Sequence, residues 1–180
     1  MSITPHDILS FWRDAGEDRW WKKNDAFDAE IRTKFFDLWT DAAAGKLKHW
    51  QDSDEGALAL VIVLDQFPRN MFRNDARTYA SDALAQEVAR KAVAAGCDRR
   101  VDESLRSFLY MPFMHSEKLD DQEHCVALFE SIGQADSAKW AKHHADIIRK
   151  YGRFPHRNGI LGRETTPEEQ AFLDSGGFSG

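Results

Sequence analysis

The chain has little of several features that mark common protein classes. Only two cysteines occur among its 180 residues, Cys97 and Cys125, and they do not form a CxxC pair. Disulfide frameworks and zinc ribbons need more cysteines at closer spacing, so neither is expected. Each thiol is interpreted as a small buried side chain, and this cysteine usage is typical of proteins in the reducing cytosol.

Long apolar runs and an excess of positive charge are also missing. The longest apolar run, residues 57–64, is far shorter than the ~20 residues of a membrane-spanning helix. The first residues lack the basic and then apolar pattern of a signal peptide. A formal net charge of -6 argues against general nucleic-acid binding. The sequence therefore predicts a cytoplasmic protein with neither a membrane nor a nucleic acid as partner.

Familiar catalytic and cofactor motifs are absent as well. The chain contains no glycine-rich phosphate loop, no dinucleotide fingerprint and no GxSxG elbow. Histidines and acids do cluster near residue 120, but their spacing matches no familiar zinc pattern: His115, Glu117, Asp120, Asp121, Glu123 and His124. We therefore expect neither a metal ion nor a cofactor.

Apolar residues recur at three- and four-residue steps through most of the chain. The clearest stripe lies between a capping residue, Asn24, and a terminating Gly45: Phe27, Ile31, Phe35, Leu38 and Ala42. Such periodicity predicts an all-α fold of about eight helices, joined by short connections that favour antiparallel helix pairs. The run at 57–64 is interpreted as part of a central buried helix at about residues 54–67.

The length of the chain predicts one domain, residues 1–180. Within it, the periodicity stops after Gly152, so residues 153–180 are expected to form a loop and a short last helix. Thr166-Pro167-Glu168-Glu169 is a capping box that opens this helix.

A polar segment follows directly on the central helix: Asp65-Gln66-Phe67-Pro68-Arg69-Asn70. Pro68 disfavours helical geometry at Phe67, so the helix is predicted to break there. Arg69 and Arg73 are four residues apart and would offer two guanidinium groups to a carboxylate or phosphate. The alternative is that one of these arginines pairs with Asp65 and braces the turn.

A second segment near the other end of the chain repeats this pattern: Arg153-Phe154-Pro155-His156-Arg157-Asn158. Loops rich in Arg, His and Asn on a helical scaffold are frequent ligand sites. If the two segments meet, they would form a pocket for a small anionic molecule or an acidic peptide. Four arginines would bind the charge and two asparagines would orient it: Arg69, Arg73, Arg157, Arg163, Asn70 and Asn158.

Two other functions stay open. In one, the protein is an enzyme in which His115 or His156 acts as general acid or base, with Glu117 or Asp65 setting its tautomer. In the other, it is an interaction scaffold whose motifs are purely structural, with acids such as Asp65, Glu117 and Glu164 balancing the arginines. The sequence identifies neither the ligand nor the oligomeric state.

Three segments together resemble the DUF924 family, a bacterial and plant family of uncharacterised proteins: residues 64–70, 110–117, and 153–158 with 161–163. The resemblance extends from Ile8-Leu9-Ser10-Phe11-Trp12 to Leu173, and the two Phe-Pro segments are its most specific part. It implies an all-helical fold similar to right-handed tetratricopeptide-repeat superhelices. It brings no established activity.

Overall fold

A computed structural model describes residues 3–178 of the chain. Residues 3–178 are rich in helix and contain no strand, which confirms the all-α prediction. The chain divides into two compact units, with the boundary between Pro112 and Phe113. The single domain and the tetratricopeptide-repeat-like superhelix stay predictions.

From residue 3 onwards, the N-terminal unit contains six α-helices that lie wholly within it: α1 (Pro5–Ala15), α2 (Glu17–Trp20), α3 (Asp25–Ala43), α4 (Asp54–Val61), α5 (Phe67–Met71) and α6 (Asp82–Ala94). The predicted cap of α3 is present, because the Asn24 side chain accepts a hydrogen bond from the backbone N–H of Phe27. Short 3₁₀ turns connect several of the helices.

Helix α4 is the centre of this unit. It packs against α1 and α6, and every residue from Gly56 to Val61 is buried. A single π-helical turn, Ile62–Gln66, continues it directly into α5. Aromatic side chains surround the start of α5, where the ring centroid of Phe67 lies 4.9 Å from that of Phe35. The interpretation of residues 57–64 as a buried helix is confirmed.

The predicted helix break at Phe67 is wrong. Phe67 keeps helical angles, φ -59° and ψ -40°. The π-helical turn before it shifts the hydrogen-bond register, so that the N–H of Phe67 bonds the carbonyl of Ile62 and a new α-helix begins at Phe67. Pro68 therefore occupies a first-turn position of α5, where a backbone N–H is not needed. An α-helical N–H at residue 68 would have bonded the carbonyl of Leu64. That carbonyl instead accepts a hydrogen bond from Ser81 Oγ at 2.6 Å.

The chain passes between the units through a short helix, α7 (Met111–Met114), and the C-terminal unit adds three more: α8 (Leu119–Ser131), α9 (Ala135–Tyr151) and α10 (Pro167–Asp174). Helices α8 and α9 pack against each other. The loop between α9 and α10 contains a 3₁₀ turn, Pro155–Arg157. Phe154 is buried against Ile147 and Ile148, so the loop is anchored in the core of this unit. Helix α10 begins with the predicted capping box.

Candidate functional site

In the first Phe-Pro motif, Arg69 is bound by acids of its own unit. Its two terminal nitrogens donate to Asp82 Oδ1 and Oδ2 at 2.9 and 3.0 Å, a bidentate pair. Nη1 also donates to the backbone carbonyl of Asp65 at 2.6 Å and lies 3.4 Å from the Asp65 carboxylate. Burial alone would lower the pKa of Arg69, but the two aspartates raise it, so the guanidinium stays charged.

Asn70 and Arg73 share a different acid, Asp28 of α3. Asn70 Nδ2 donates to Asp28 Oδ1 at 2.8 Å, and Arg73 Nη2 donates to the same oxygen at 3.1 Å. The carboxylate thereby fixes α5 and the residues after it onto α3. Asp65 itself is fully buried and accepts a hydrogen bond from the Gln66 side chain at 2.7 Å.

In the second motif, Glu169 of α10 gathers three donors. Arg153 Nε donates to Oε1 at 2.7 Å, while Arg153 Nη2 and Asn158 Nδ2 donate to Oε2 at 2.9 and 3.1 Å. The Thr166 backbone N–H adds a bond at 2.9 Å. The hydrogen bonds from Arg153 are the main cause that lowers the pKa of this carboxyl, to about 2. One buried carboxylate thus ties the motif loop to the start of α10.

Glu117 is the second acid beneath the loop. Its two oxygens accept hydrogen bonds from Arg163 Nη1 and Nη2 at 2.8 and 3.0 Å, and Oε1 also accepts from the backbone N–H of Phe154 at 2.8 Å. Burial works to raise the pKa of Glu117, but these donors outweigh it and hold the pKa below its usual range. Asn158 Oδ1 accepts from Arg163 Nε at 3.0 Å, which fixes the guanidinium plane.

The remaining predicted residues of the second motif are Arg157, which is buried, and His156, which is partly buried. Arg157 is buried, stacks over the Phe154 ring at 4.6 Å and donates to the backbone carbonyl of His115 at 2.9 Å. Burial lowers the pKa of His156 to about 4, so its imidazole is neutral at pH 7. Within residues 3–178, the buried His156 Nδ1 has no hydrogen-bond partner.

A depression of about 600 Å³ lies beside this loop, lined by Arg153, Arg163, Glu164, Thr165, Thr166 and Pro167. It therefore contains one predicted ligand-binding residue, Arg163, and one arginine of the motif that the prediction left out, Arg153. A smaller cavity of about 250 Å³ lies in the N-terminal unit, between residues of α4 and α6 and their flanking turns, and contains none of the predicted site residues.

Three acids that hold the motif residues were not foreseen from the sequence: Asp28, Asp82 and Glu169. Asp28 is 42 residues away from its partner Asn70 and Asp82 is 13 residues away from its partner Arg69, so both pairings depend on how the helices pack. For Glu169 the sequence did contain an indication of position, because the capping box predicts it in the first turn of α10, shortly after the motif loop. Glu164 contributes its backbone carbonyl to Arg153 at 2.7 Å.

The part of the chain that the structure describes holds no group of three or more His, Cys, Asp or Glu side chains able to bind a metal ion. None of its helices is both long and apolar enough to cross a membrane. Both cysteines are buried, and burial raises the pKa of the Cys97 thiol to about 12.

Comparisons with known proteins place the chain in a family. A family model described as a bacterial protein of unknown function (DUF924) matches residues 8–177. A solved structure, the protein of unknown function ATU0120 from Agrobacterium tumefaciens, is 44% identical, with a TM-score of 0.91 over 95% of this chain and 97% of that one. No match was found among curated proteins. The chain belongs to the DUF924 family, as the three segments singled out in its sequence indicated.

Proposed function

We propose that this protein binds a small anion, a carboxylate or a phosphate, in the depression beside its second Phe-Pro motif. The observation that carries the proposal concerns Arg153 and Arg163, which line the depression and keep guanidinium N–H groups that no acceptor within residues 3–178 takes. The acidic peptide named as an alternative ligand would offer the same carboxylate chemistry.

The count of donors supports this site. A guanidinium carries five N–H groups. Arg153 donates three of these N–H groups, from Nε and Nη2, to Glu169 and the Glu164 carbonyl. Both N–H groups of Nη1 are therefore available to a ligand. Arg163 donates four N–H groups to Asn158, Glu117 and the Phe154 carbonyl, so one N–H group of Nη1 is available. Among residues 3–178, no acceptor takes these three donors.

The arginines are already held in position, which favours binding. Glu117 and Glu169 fix both guanidinium planes through paired hydrogen bonds, so little side-chain entropy is lost when a ligand arrives. Thr165 lines the same depression, and its hydroxyl adds a donor. Planar guanidinium groups suit the oxygens of carboxylates and phosphates.

The first motif supports a different role. Its arginines and Asn70 are bound by Asp28, Asp65 and Asp82 within the N-terminal unit, and we infer that it braces α3, α5 and α6. A common pocket of both motifs stays a prediction, and the second motif is sufficient for the proposed site.

A thermal-shift titration tests the anion site. Sodium malonate is added at constant ionic strength, with sodium chloride as the balancing salt, and the melting temperature is followed. We expect a saturable rise for the wild type that is lost in Arg153→Lys, because lysine keeps the charge beside Glu169 but removes the Nη1 donors. Arg77→Lys is the control, since Arg77 pairs with Asp75 on the surface of the other unit.

A second variant is expected to strengthen malonate binding instead of weakening it. Glu164 is the acidic residue that lines the depression, and its exposed carboxylate repels an incoming anion. Glu164→Gln is therefore expected to strengthen malonate binding, whereas Glu123→Gln, which removes an exposed acid from α8, is expected to leave it unchanged. Equal malonate responses in wild type, Arg153→Lys and Glu164→Gln would contradict the site.

The enzyme and scaffold hypotheses stay predictions with their own outcomes. Turnover of a metabolite that His156→Ala or His115→Ala abolishes would indicate general acid–base catalysis. If the protein binds no anion and its arginine variants lose only stability, the scaffold hypothesis is favoured.

A further inference from the structure

The chain after α10 follows a path that depends on two glycines. Gly176 has a φ of +80°, in the left-handed region that favours glycine. A Cβ at Gly177 would lie 2.5 Å from the carbonyl oxygen of Phe172 and 2.7 Å from its ring, so only glycine fits against that residue. This geometry brings the next residue, Phe178, onto the C-terminal unit.

Phe178 packs into a group of aromatic and imidazole rings. Its ring centroid lies 4.5 Å from that of His144 and 5.1 Å from that of His156, both in edge-to-face geometry. Phe154 of the second motif lies at 6.4 Å, and His143 borders the Phe178 ring at 6.1 Å. We call the space between His144, His156 and Phe154 the ring slot.

The walls of the ring slot are apolar at neutral pH. Burial lowers the pKa of His144 and of His156 to about 4, so both imidazoles are neutral and present ring faces and edges. The two histidines differ in their hydrogen bonding. A ring nitrogen of His144, Nδ1, lies 2.8 Å from the Trp140 carbonyl, whereas the buried His156 Nδ1 has no partner within residues 3–178.

We propose that the ring slot is a binding site for a single phenolic ring, which the chain fills with its own Phe178. The ligand's ring takes the place of the Phe178 ring between His144, His156 and Phe154, and its hydroxyl bonds the imidazole of His156. The site is separate from the anion site in its chemistry, because it recognises an uncharged ring.

Two observations favour exchange of the occupant. Phe178 is only half-buried and is held by a segment of two glycines, so its withdrawal exposes little else. The benzyl ring of Phe178 carries no polar group and the buried His156 Nδ1 has no hydrogen-bond partner within residues 3–178, so a phenolic hydroxyl that reaches this nitrogen would satisfy it. Ring-sized apolar cavities in proteins do bind small aromatic molecules.

Phenol binding to the 180-residue chain tests the proposal. Chemical shifts of the histidine ring protons are followed by NMR during a titration with phenol. Phe178→Ala empties the slot and is expected to bind phenol saturably, roughly tenfold or more tightly than the wild type, in which Phe178 competes. Gly177→Ala displaces the same segment without removing the ring and is expected to give a similar gain.

Matched variants distinguish phenol binding in the ring slot from a general destabilisation of the C-terminal unit. Gly159→Ala adds a methyl group in open space within the same unit and is expected to behave like the wild type. In the Phe178→Ala background, His156→Leu is expected to abolish the preference for phenol over benzene. No gain in Phe178→Ala, or a gain with equal affinity for cyclohexanol and phenol, would overturn the proposal.

Discussion

Single carboxylates hold the two Phe-Pro motifs in place. Glu169 accepts hydrogen bonds from Arg153, Asn158 and Thr166, and Asp28 accepts from Asn70 and Arg73. Each acid accepts from several donors at once, so removing the acid breaks all of these hydrogen bonds together. A buried ion pair adds little stability when compared with apolar residues, but breaking one costs several kcal/mol.

Arg69→Ala is therefore expected to lower the free energy of unfolding by about 3–5 kcal/mol, because it removes a largely buried cation that pairs with Asp82 and lies 3.4 Å from the fully buried Asp65 carboxylate. Urea denaturation measures the change. Arg77→Ala, which removes an exposed partner of Asp75, is the control and is expected to cost less than about 1 kcal/mol. Equal costs for the two variants would contradict the bracing role of the first motif.

The buried histidines predict a loss of stability on mild acidification. His144 and His156 have pKa values of about 4 in the folded chain and 6.5 as the ordinary value, so the unfolded chain binds more protons between these pH values. The free energy of unfolding is expected to fall from pH 6.5 to about pH 4.

Urea denaturation at a series of pH values checks this, with the double variant His144→Gln, His156→Gln as comparison. The variant is expected to show a flatter dependence in that window. The carboxylates affect stability at lower pH, since the pKa of Glu169 falls from its ordinary value of 4.5 to about 2 in the folded chain. Parallel curves for wild type and variant above pH 4.5 would show that the histidines do not carry the effect.

At the scale of helices, local signals in the sequence were sufficient for most elements. Asn24 and the apolar stripe after it predicted α3, and the capping box at Thr166 predicted α10. The π-turn was not predictable, because a run that is apolar at every position carries no helical register. Its support by Ser81 is a contact between distant segments.

The same limit applies to the candidate site. The arginines and asparagines stood out in the sequence by their pairing with Phe-Pro. Their partners Asp28 and Asp82 did not, because the aspartates of the helices look alike in the sequence and only the packing of the helices buries these two against the arginines. The depression beside the second motif depends on the path of the loop after Arg157, which has no periodicity to predict it.

Gly56 in α4 illustrates a constraint between neighbouring elements. A Cβ there would lie 2.0 Å from the Trp50 carbonyl oxygen and 2.8 Å from Ser53 Oγ. Gly56→Ala is therefore expected to destabilise by roughly 1–3 kcal/mol through overpacking, although alanine is the better helix former by about 1 kcal/mol. Thermal unfolding compares it with Glu55→Ala, an exposed position in the same turn. A stabilised Gly56→Ala variant would contradict the close contact.

The motif loop of the C-terminal unit is expected to open without Glu117. In Glu117→Ala, Arg163 and the Phe154 N–H lose their acceptor, so amide hydrogens at residues 154–163 should exchange faster with solvent. Hydrogen exchange followed by mass spectrometry tests this. Glu123→Ala, which removes an exposed partner of Arg149, is expected to leave the loop's exchange rates unchanged. Faster exchange in both variants would argue against an anchoring role for Glu117.

For the molecule as a whole, net charge and local chemistry oppose each other. The chain carries a formal charge of -6, which repels an anion at long range. Salt screens that repulsion within a Debye length of about 10 Å at 0.1 M, whereas the hydrogen bonds of a fixed guanidinium act at short range. Affinity in the depression is therefore expected to come from the unused N–H groups of Arg153 and Arg163.

The most direct test observes those groups themselves. In an NMR titration with malonate at 0.1 M salt, arginine side-chain N–H resonances are followed in the wild type. The proposed site predicts saturable shifts at Arg153 and Arg163 with one common affinity, and none at Arg77. Shifts spread evenly over exposed arginines, or confined to arginines outside the second motif, would contradict it.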